Sequence, residues 1–113
     1  MKEMYIDIAQ DFSDSPSGRY MEDGAYCGAN FLNDFLLPNI HKYTKIILDF
    51  THVLGYGSSF LEEAFGGLVR ETGMSKDELF RHIEVRTLND PFLLDEINQY
   101  IDEELERKSK NSQ

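Results

Sequence analysis

The chain has 113 residues, which is enough for one domain with its own core and too short for two. Its 21 acidic and 11 basic side chains give a formal net charge of −10, and this charge repels phosphate backbones and argues against direct nucleic-acid binding. With 41% hydrophobic residues and a single cysteine, Cys27, the composition excludes a disordered chain and an intramolecular disulfide.

The N-terminal segment and the apolar runs bear on localisation. Residues 1–7 are too polar for a secretory signal, and no apolar run approaches the roughly 18 residues that a membrane span requires. We therefore expect a cytoplasmic protein that makes no membrane contact. Residues 1–113 should form a single domain whose tail is frayed from about residue 107.

The first half of the chain predicts two strands and one helix. Apolar and polar residues alternate over residues 4–9, which predicts a first strand with one buried face. A long loop rich in Ser, Asp and Gly follows, and a turn at its residues 22–24 favours a short hairpin over residues 19–27. Apolar residues at three-and-four spacing predict a helix from about Ala29 to Pro38, packed against the sheet. A continuous apolar run then predicts a central strand over residues 46–50, covered on both faces.

The second half alternates helices with a strand. A helix is predicted directly after a glycine turn and ends at Gly73, and the adjacent glycines 66 and 67 indicate that it presses closely on the sheet. A capping box at Ser75 begins a short helix, and alternation over residues 83–88 predicts a last strand at a sheet edge. Asp90 and Pro91 then begin a terminal helix with an acidic outer face. The predicted fold class is therefore α/β, with a small mixed β-sheet packed against helices.

The junction between the central strand and the following helix is the most informative segment. The strand passes through the turn Gly55-Tyr56-Gly57 and the helix begins at once, so backbone N–H groups face one spot and favour an anion there. The hydroxyls of Ser58 and Ser59 are predicted to be exposed at that spot. A capping box starting at Ser59 explains this residue as a helix cap, whereas Ser58 has no such role.

The common catalytic motifs do not fit this junction. It lacks the third glycine of a dinucleotide fingerprint, the lysine of a P-loop and the second glycine of a nucleophile elbow. The three histidines are scattered and do not have the spacing of a zinc site. We therefore expect no catalytic residue, no cofactor and no metal. Arg19, in the long loop, is either a surface arginine paired with a nearby acid or a cation beside the two serines.

Two sets of residues carry a resemblance to known families. Asp49, followed by Gly57-Ser58-Ser59 at the head of an apolar helix, resembles the switch region of STAS domains of the anti-sigma factor antagonist type. The wider pattern resembles the bacterial STAS-like domains of unknown function, and it comprises residues 17–20, 23–24, 55–67 and 89–91. The antagonist motif has aspartate where this chain has Gly57 and glycine where it has Phe60.

The resemblance to the antagonists implies a regulatory role. In that family a partner kinase phosphorylates a serine at this helix start, and the added charge breaks the complex. By position, Ser59 matches the phosphoacceptor, Ser58 its neighbour and Asp49 an acidic residue of the preceding strand. A phosphoserine adds about −1.5 to −2 charges, and beside Glu62 and Glu63 it would repel an acidic partner surface.

Three functional hypotheses follow. The first is a non-enzymatic regulatory module that docks a partner protein, such as a histidine-kinase-like ATPase, through residues 55–63. The second is an acidic decoy from a mobile element that occupies the basic groove of a nucleic-acid-binding protein. The third is a binder of a small ligand or nucleotide at the same helix N-terminus, as the STAS resemblance allows. We expect the protein to be a monomer or a weak dimer.

Overall fold

The computed structural model describes residues 2–111. Its sheet has three parallel strands in the order β1-β2-β3, namely β1 (Met4–Asp7), β2 (Ile46–Asp49) and β3 (Ile83–Arg86). The predicted α/β class, with helices packed on a small sheet, is confirmed. The sheet is parallel throughout rather than mixed, because each connection between strands contains helices and returns the chain to the same end of the sheet.

Five α-helical segments lie within residues 2–111. They are α1 (Gly28–Phe31), α2 (Ser58–Leu61), α3 (Gly67–Thr72), α4 (Lys76–His82) and α5 (Leu93–Asn111). Wider π-helical turns extend two of them: Leu32–Leu36 continues α1, and Glu62–Gly66 joins α2 to α3. We call the resulting continuous helix, residues 58–72, the junction helix.

Two short helical segments replace structure that the sequence predicted otherwise. The first strand ends at Asp7 rather than residue 9, because a π-helical segment, Ile8–Phe12, follows and the Asp7 side chain accepts the Gln10 N–H (3.3 Å). The predicted hairpin over residues 19–27 is wrong, since a 3₁₀ helix, Met21–Asp23, lies there. The Asp23 carboxylate accepts the backbone N–H of Arg19 (3.0 Å) and closes this compact turn.

The main core lies on one face of the sheet. The inward residues Ile46 and Leu48 of β2 belong to the core cluster, together with the apolar faces of the junction helix and α5. Ile47 points to the opposite face and lies outside that cluster, although it is buried. Its neighbours in register are Tyr5 and Glu84, and Tyr5 is 53% exposed. β2 is therefore buried on both faces, as predicted, since Ile46, Ile47 and Leu48 are all buried.

The junction helix is held between two other helices. A Cβ on Gly67 would lie 2.5 Å from Leu32 Cδ2 in the extension of α1, and one on Gly66 would lie 3.4 Å from Glu104 Oε1 of α5. At the start of α1, a Cβ on Gly28 would lie 2.6 Å from the carbonyl oxygen of Phe60. The glycines do permit close packing, but their contacts are with helices and not with the predicted sheet.

The predicted elements after the junction helix are largely confirmed. Gly73 ends that helix with a φ of 69°, and Ser75 and Glu78 form the capping box of α4. β3 lies at a sheet edge. α5 continues through Asn111, so residues 107–111 are helical where a frayed tail was predicted, and residues 112 and 113 lie outside the described residues. None of the helices in the described part of the chain combines the length and the apolar character that crossing a bilayer requires.

Candidate functional site

The junction helix begins at the glycine turn that the sequence singled out. Gly57 is its N-cap, and the Gly57 carbonyl accepts the N–H groups of Phe60 (3.1 Å) and Leu61 (3.3 Å). Ser58 and Ser59 therefore occupy the first helical turn, and neither caps the helix. The prediction of a capping box at Ser59 is wrong, because the helix starts before that residue.

The long loop after β1 packs against this turn. The carbonyls of Asp14 and Pro16 accept the N–H groups of Leu54 (2.8 Å) and Gly57 (3.0 Å). A Cβ on Gly57 would lie 3.3 Å from the Cβ of Ser17, which is closer than ordinary van der Waals contact. The loop thus fixes the turn from one side, and a side chain at Gly57 would require Ser17 to shift slightly.

Arg19 connects the long loop to the junction helix. Its guanidinium forms an ion pair with Glu62, and its Nη1 lies 3.6 Å from Glu63 Oε1. Arg19 is therefore paired with acids, as one interpretation held. Those acids lie one helical turn after Ser58 and Ser59, and within residues 2–111 no hydrogen bond joins Arg19 to either serine.

Further charges extend this pairing across the domain. Glu63 is only 7% exposed and accepts a hydrogen bond from Arg70 Nη2 (3.0 Å). Arg70 Nη1 donates to Glu104 Oε1 of α5 (2.6 Å), which also accepts from Arg107 Nη1 (2.9 Å). Because buried carboxylates are costly unless they are paired, these arginines keep Glu63 and Glu104 tolerable inside the helix packing. We call the set Arg19, Glu62, Glu63, Arg70, Glu104 and Arg107 the ion network.

Two tyrosines connect the turn to α5. The hydroxyl of Tyr56 donates to Asp90 Oδ2 (2.6 Å), just before α5 begins. The hydroxyl of Tyr100 donates to Glu96 Oε2 (2.9 Å) and lies near the Ser58 side chain. Burial, and then the hydrogen bond to Asp90, raise the pKa of Tyr56 well above its usual value. At neutral pH both phenols stay protonated and act as donors that hold α5 against the junction.

The two serines differ in accessibility. Ser58 is exposed and Ser59 is half-buried. The predicted exposure of the two serines is therefore confirmed for Ser58 and only partly for Ser59. Among the residues that were predicted to form the site, the structure brings together Tyr56, Gly57, the two serines and the Arg19–Glu62–Glu63 group.

Asp49 does not join this group. It lies at the C-terminal end of β2, where its carboxylate accepts the Thr51 N–H (2.9 Å) and the Tyr5 hydroxyl. Burial opposes its ionisation, but these hydrogen bonds hold the pKa of Asp49 below its usual value. Within residues 2–111, no hydrogen bond connects Asp49 to Ser58 or Ser59. Its role in the structure is to fix the end of β2.

Two open grooves flank the turn. One, of about 970 Å³, lies at the C-terminal ends of β2 and β3 and is lined mainly by residues 85–91. The other, of about 380 Å³, is lined by residues 53–56 and 89–90. Ser58 and Ser59 line neither groove. No set of three or more His, Cys, Asp or Glu side chains within the described residues is arranged to hold a metal ion.

The sequence did not identify the residues that α5 contributes to the site. The sequence placed them only on the faces of an amphipathic helix, yet Glu104 accepts a hydrogen bond from Arg70 of the junction helix. Tyr100, which donates to Glu96, lies near Ser58. One signal was available, since Glu96 and Tyr100 are four residues apart and therefore adjacent on one helix face.

Comparison with known families gives one match. The profile described as the STAS-like domain of unknown function (DUF4325) matches residues 28–92, which is more than half of the chain. This segment contains α1, β2, the junction helix and β3, and the match confirms the resemblance seen in the sequence. Comparisons with curated proteins and with solved structures gave no match. The chain therefore belongs to the family of STAS-like domains of unknown function.

Proposed function

We propose that this domain is a non-enzymatic regulatory module that docks a partner protein through residues 55–63. The observation that carries the proposal is the exposure of Ser58 on the first turn of a helix that is otherwise largely buried. Membership of a STAS-like family supports a regulatory role. Since Ser58 and Ser59 lie outside both neighbouring grooves, a protein surface suits them better than an enclosed small ligand.

The rigidity of the site supports docking. The loop carbonyls, the ion network and the two tyrosine hydroxyls hold the turn from three directions. A surface that is already ordered loses little conformational entropy when a partner binds, and so more of the contact energy appears as affinity. Leu54, which is 82% exposed beside the turn, supplies apolar area of the kind found in the centre of interfaces.

The charges around Ser58 make the surface sensitive to modification. A phosphate on Ser58 would bring about −1.5 to −2 charges close to Glu62 and to the Tyr100–Glu96 hydrogen bond. The added charge would repel these carboxylates and displace the Tyr100 hydroxyl. The resemblance to the anti-sigma factor antagonists supports a histidine-kinase-like ATPase as both the partner and the source of the phosphate.

A pull-down with matched variants tests the proposal. The wild type and the Ser58→Ala/Ser59→Ala double variant are used as bait in lysate of the host cell, and the captured proteins are compared by mass spectrometry. We expect the partner to be lost with the double variant. Ser59→Glu should weaken capture much more than it lowers the melting temperature, because an acidic residue in the first turn favours the helix.

Ser75→Ala is the control for this experiment. It removes the capping hydrogen bond of α4 and costs about 1 kcal/mol of stability, but it does not touch the junction. It should capture the partner as the wild type does. Equal recovery of the same partner by the wild type and the double variant would remove the assignment of the site to residues 55–63.

The acidic decoy is the second candidate, and the charge on α5 favours it. Exposed acids on this helix include Asp95, Asp102, Glu103 and Glu106. A decoy would bind a basic groove mainly through charge, so its affinity would fall steeply with salt and would depend on α5 rather than on the serines. Binding that salt hardly changes would exclude this function.

A further inference from the structure

β3 presents a free edge of the sheet. Its inner neighbour is β2, and the Arg86 carbonyl accepts the Phe50 N–H on that side (2.8 Å). In a parallel strand, the backbone N–H and C=O groups of successive residues point to opposite sides. Those of Glu84 and Arg86 therefore bond to β2. Those of Val85 and Thr87 point outward, away from the sheet. Unpaired groups of this kind are a template for pairing with another strand.

The side chains along this edge are complementary to themselves. If two copies of β3 pair antiparallel about a twofold axis at Val85, each Val85 lies opposite the Val85 of the second copy. Glu84 then lies opposite Arg86 of the second copy, and Arg86 opposite its Glu84. Opposite charges that face each other across an antiparallel pair are stabilising. Both charged residues point to the outer face of the sheet, where Arg86 is ion-paired with Glu84 of its own copy and Lys45 lies 3.9 Å from Glu84. Pairing of the two edges would bring Arg86 of the second copy to the same carboxylate.

The backbone groups also match in this arrangement. A residue whose N–H and C=O both point outward, such as Val85, forms a reciprocal pair of hydrogen bonds with its equivalent. The Thr87 N–H would donate to the Ile83 carbonyl of the second copy. The Ile83 N–H is already bonded to the Leu79 carbonyl, so the turn from α4 limits the pairing to this short stretch.

Apolar side chains flank the same edge. A groove of about 370 Å³ runs beside β3, and its lining includes Phe80, Val85 and Leu94. Leu94 is 43% exposed. A second copy would cover this groove and bury these side chains, which adds hydrophobic stabilisation to the strand pairing.

The opposite edge of the sheet does not have these properties. On β1, the same twofold pairing about Tyr5 would place Glu3 opposite Asp7 of the second copy, and two like charges repel. The Asp7 N–H is also already bonded to Asp11 Oδ2 (2.9 Å). Self-pairing is therefore directed to β3.

We propose that two copies of this chain associate through their β3 edges, so that the two sheets form one six-stranded sheet centred on Val85. This interface is separate from residues 55–63 and does not depend on the function proposed above. The wild type should show a concentration-dependent dimer by sedimentation velocity and light scattering. Glu84→Arg alone, or Arg86→Glu alone, places like charges opposite each other twice and should weaken the dimer about tenfold or more.

Mixing the two variants provides the decisive measurement. The Glu84→Arg copy presents two basic side chains along the edge, and the Arg86→Glu copy presents two acidic ones. In a mixed pair each arginine of one copy would lie opposite a glutamate of the other, so the heterodimer should form where neither variant alone dimerises. Glu71→Arg, which makes the same charge change as Glu84→Arg at an exposed position on α3, is the control and should leave the dimer unchanged.

Hydrogen exchange on the wild type tests the same interface without any substitution. The amides of Val85 and Thr87 should become more protected as the protein concentration rises, whereas the amide of Tyr5, on the other edge, should not. A wild type that stays monomeric at every concentration would overturn the proposal. A dimer that survives both charge reversals, or mixed variants that fail to associate, would overturn it as well.

Discussion

Gly28 offers the sharpest test of how the junction helix is held in place. A Cβ at this position would lie 2.6 Å from the Phe60 carbonyl oxygen and 2.7 Å from the Glu63 Cβ. Both atoms belong to the backbone or to the root of a side chain, so they cannot swing aside. Gly28→Ala would therefore force α1 and the junction helix apart by most of an ångström, at the level of the first turn that carries the serines.

The expected cost follows from two opposing effects. Overpacking of this kind destabilises a protein by about 1–3 kcal/mol. Alanine is favoured over glycine inside a helix by up to about 1 kcal/mol, and less at the first helical position. The close contacts outweigh this gain, and the free energy of unfolding should fall by about 1–2 kcal/mol, as measured by urea denaturation followed by circular dichroism.

Gly55→Ala is the matched control for this experiment. Gly55 lies in the turn, a Cβ added to it would have no atom within 4 Å, and its φ is not positive. The substitution should change the free energy of unfolding by less than about 0.5 kcal/mol. Two results would contradict this reasoning: a Gly28→Ala variant as stable as the wild type, or a Gly55→Ala variant destabilised as much as Gly28→Ala. In either case, the close packing of α1 on the junction helix would not explain the glycine at position 28.

Two further predictions concern the side chains that connect α5 to the junction. Tyr56→Phe removes the hydrogen bond to Asp90 and should cost about 1–2 kcal/mol at neutral pH by urea denaturation. The pKa of Tyr56 is raised in the folded protein, so the stabilisation is complete below the unfolded value of about 10 and is lost as the pH rises above it. The wild type should therefore lose stability above about pH 10 more steeply than Tyr56→Phe, and parallel pH profiles would contradict this. Arg70→Met leaves Glu63 and Glu104 with fewer partners, and since Arg70 is itself partly exposed the loss should be about 1–3 kcal/mol. In a double-mutant cycle with Glu104→Gln the losses should be less than additive, and full additivity would show that the two side chains do not interact.

The local features of this fold could be predicted from sequence. The helix that ends at Gly73 and the capping box at Ser75 depend on residues close together in the chain. Periodicity and capping chemistry specify such features directly, because the interacting groups are only a few residues apart.

The features that failed are those that distant residues decide. Ser59 and Gly57 are both acceptable N-caps, and the choice of Gly57 is coupled to the Pro16 carbonyl, which takes the Gly57 N–H from another part of the chain. The ion pair of Arg70 with Glu104 likewise joins the junction helix to α5. Local sequence patterns do not show which distant residues will contact a given position. The sequence therefore predicted the turn but not the loop and α5 residues that contact it.

The position of β2 in the middle of the sheet has a consequence for synthesis. β1 leaves the ribosome long before β2, and β3 follows only after the junction helix and α4, so the sheet cannot be completed until most of the chain has emerged. α5 follows β3, and it brings Glu104, which accepts a hydrogen bond from Arg70 of the junction helix. A nascent chain from which α5 has not yet emerged therefore lacks the ion pair that fastens the junction helix to α5, so the packing around the turn is completed only after the sheet.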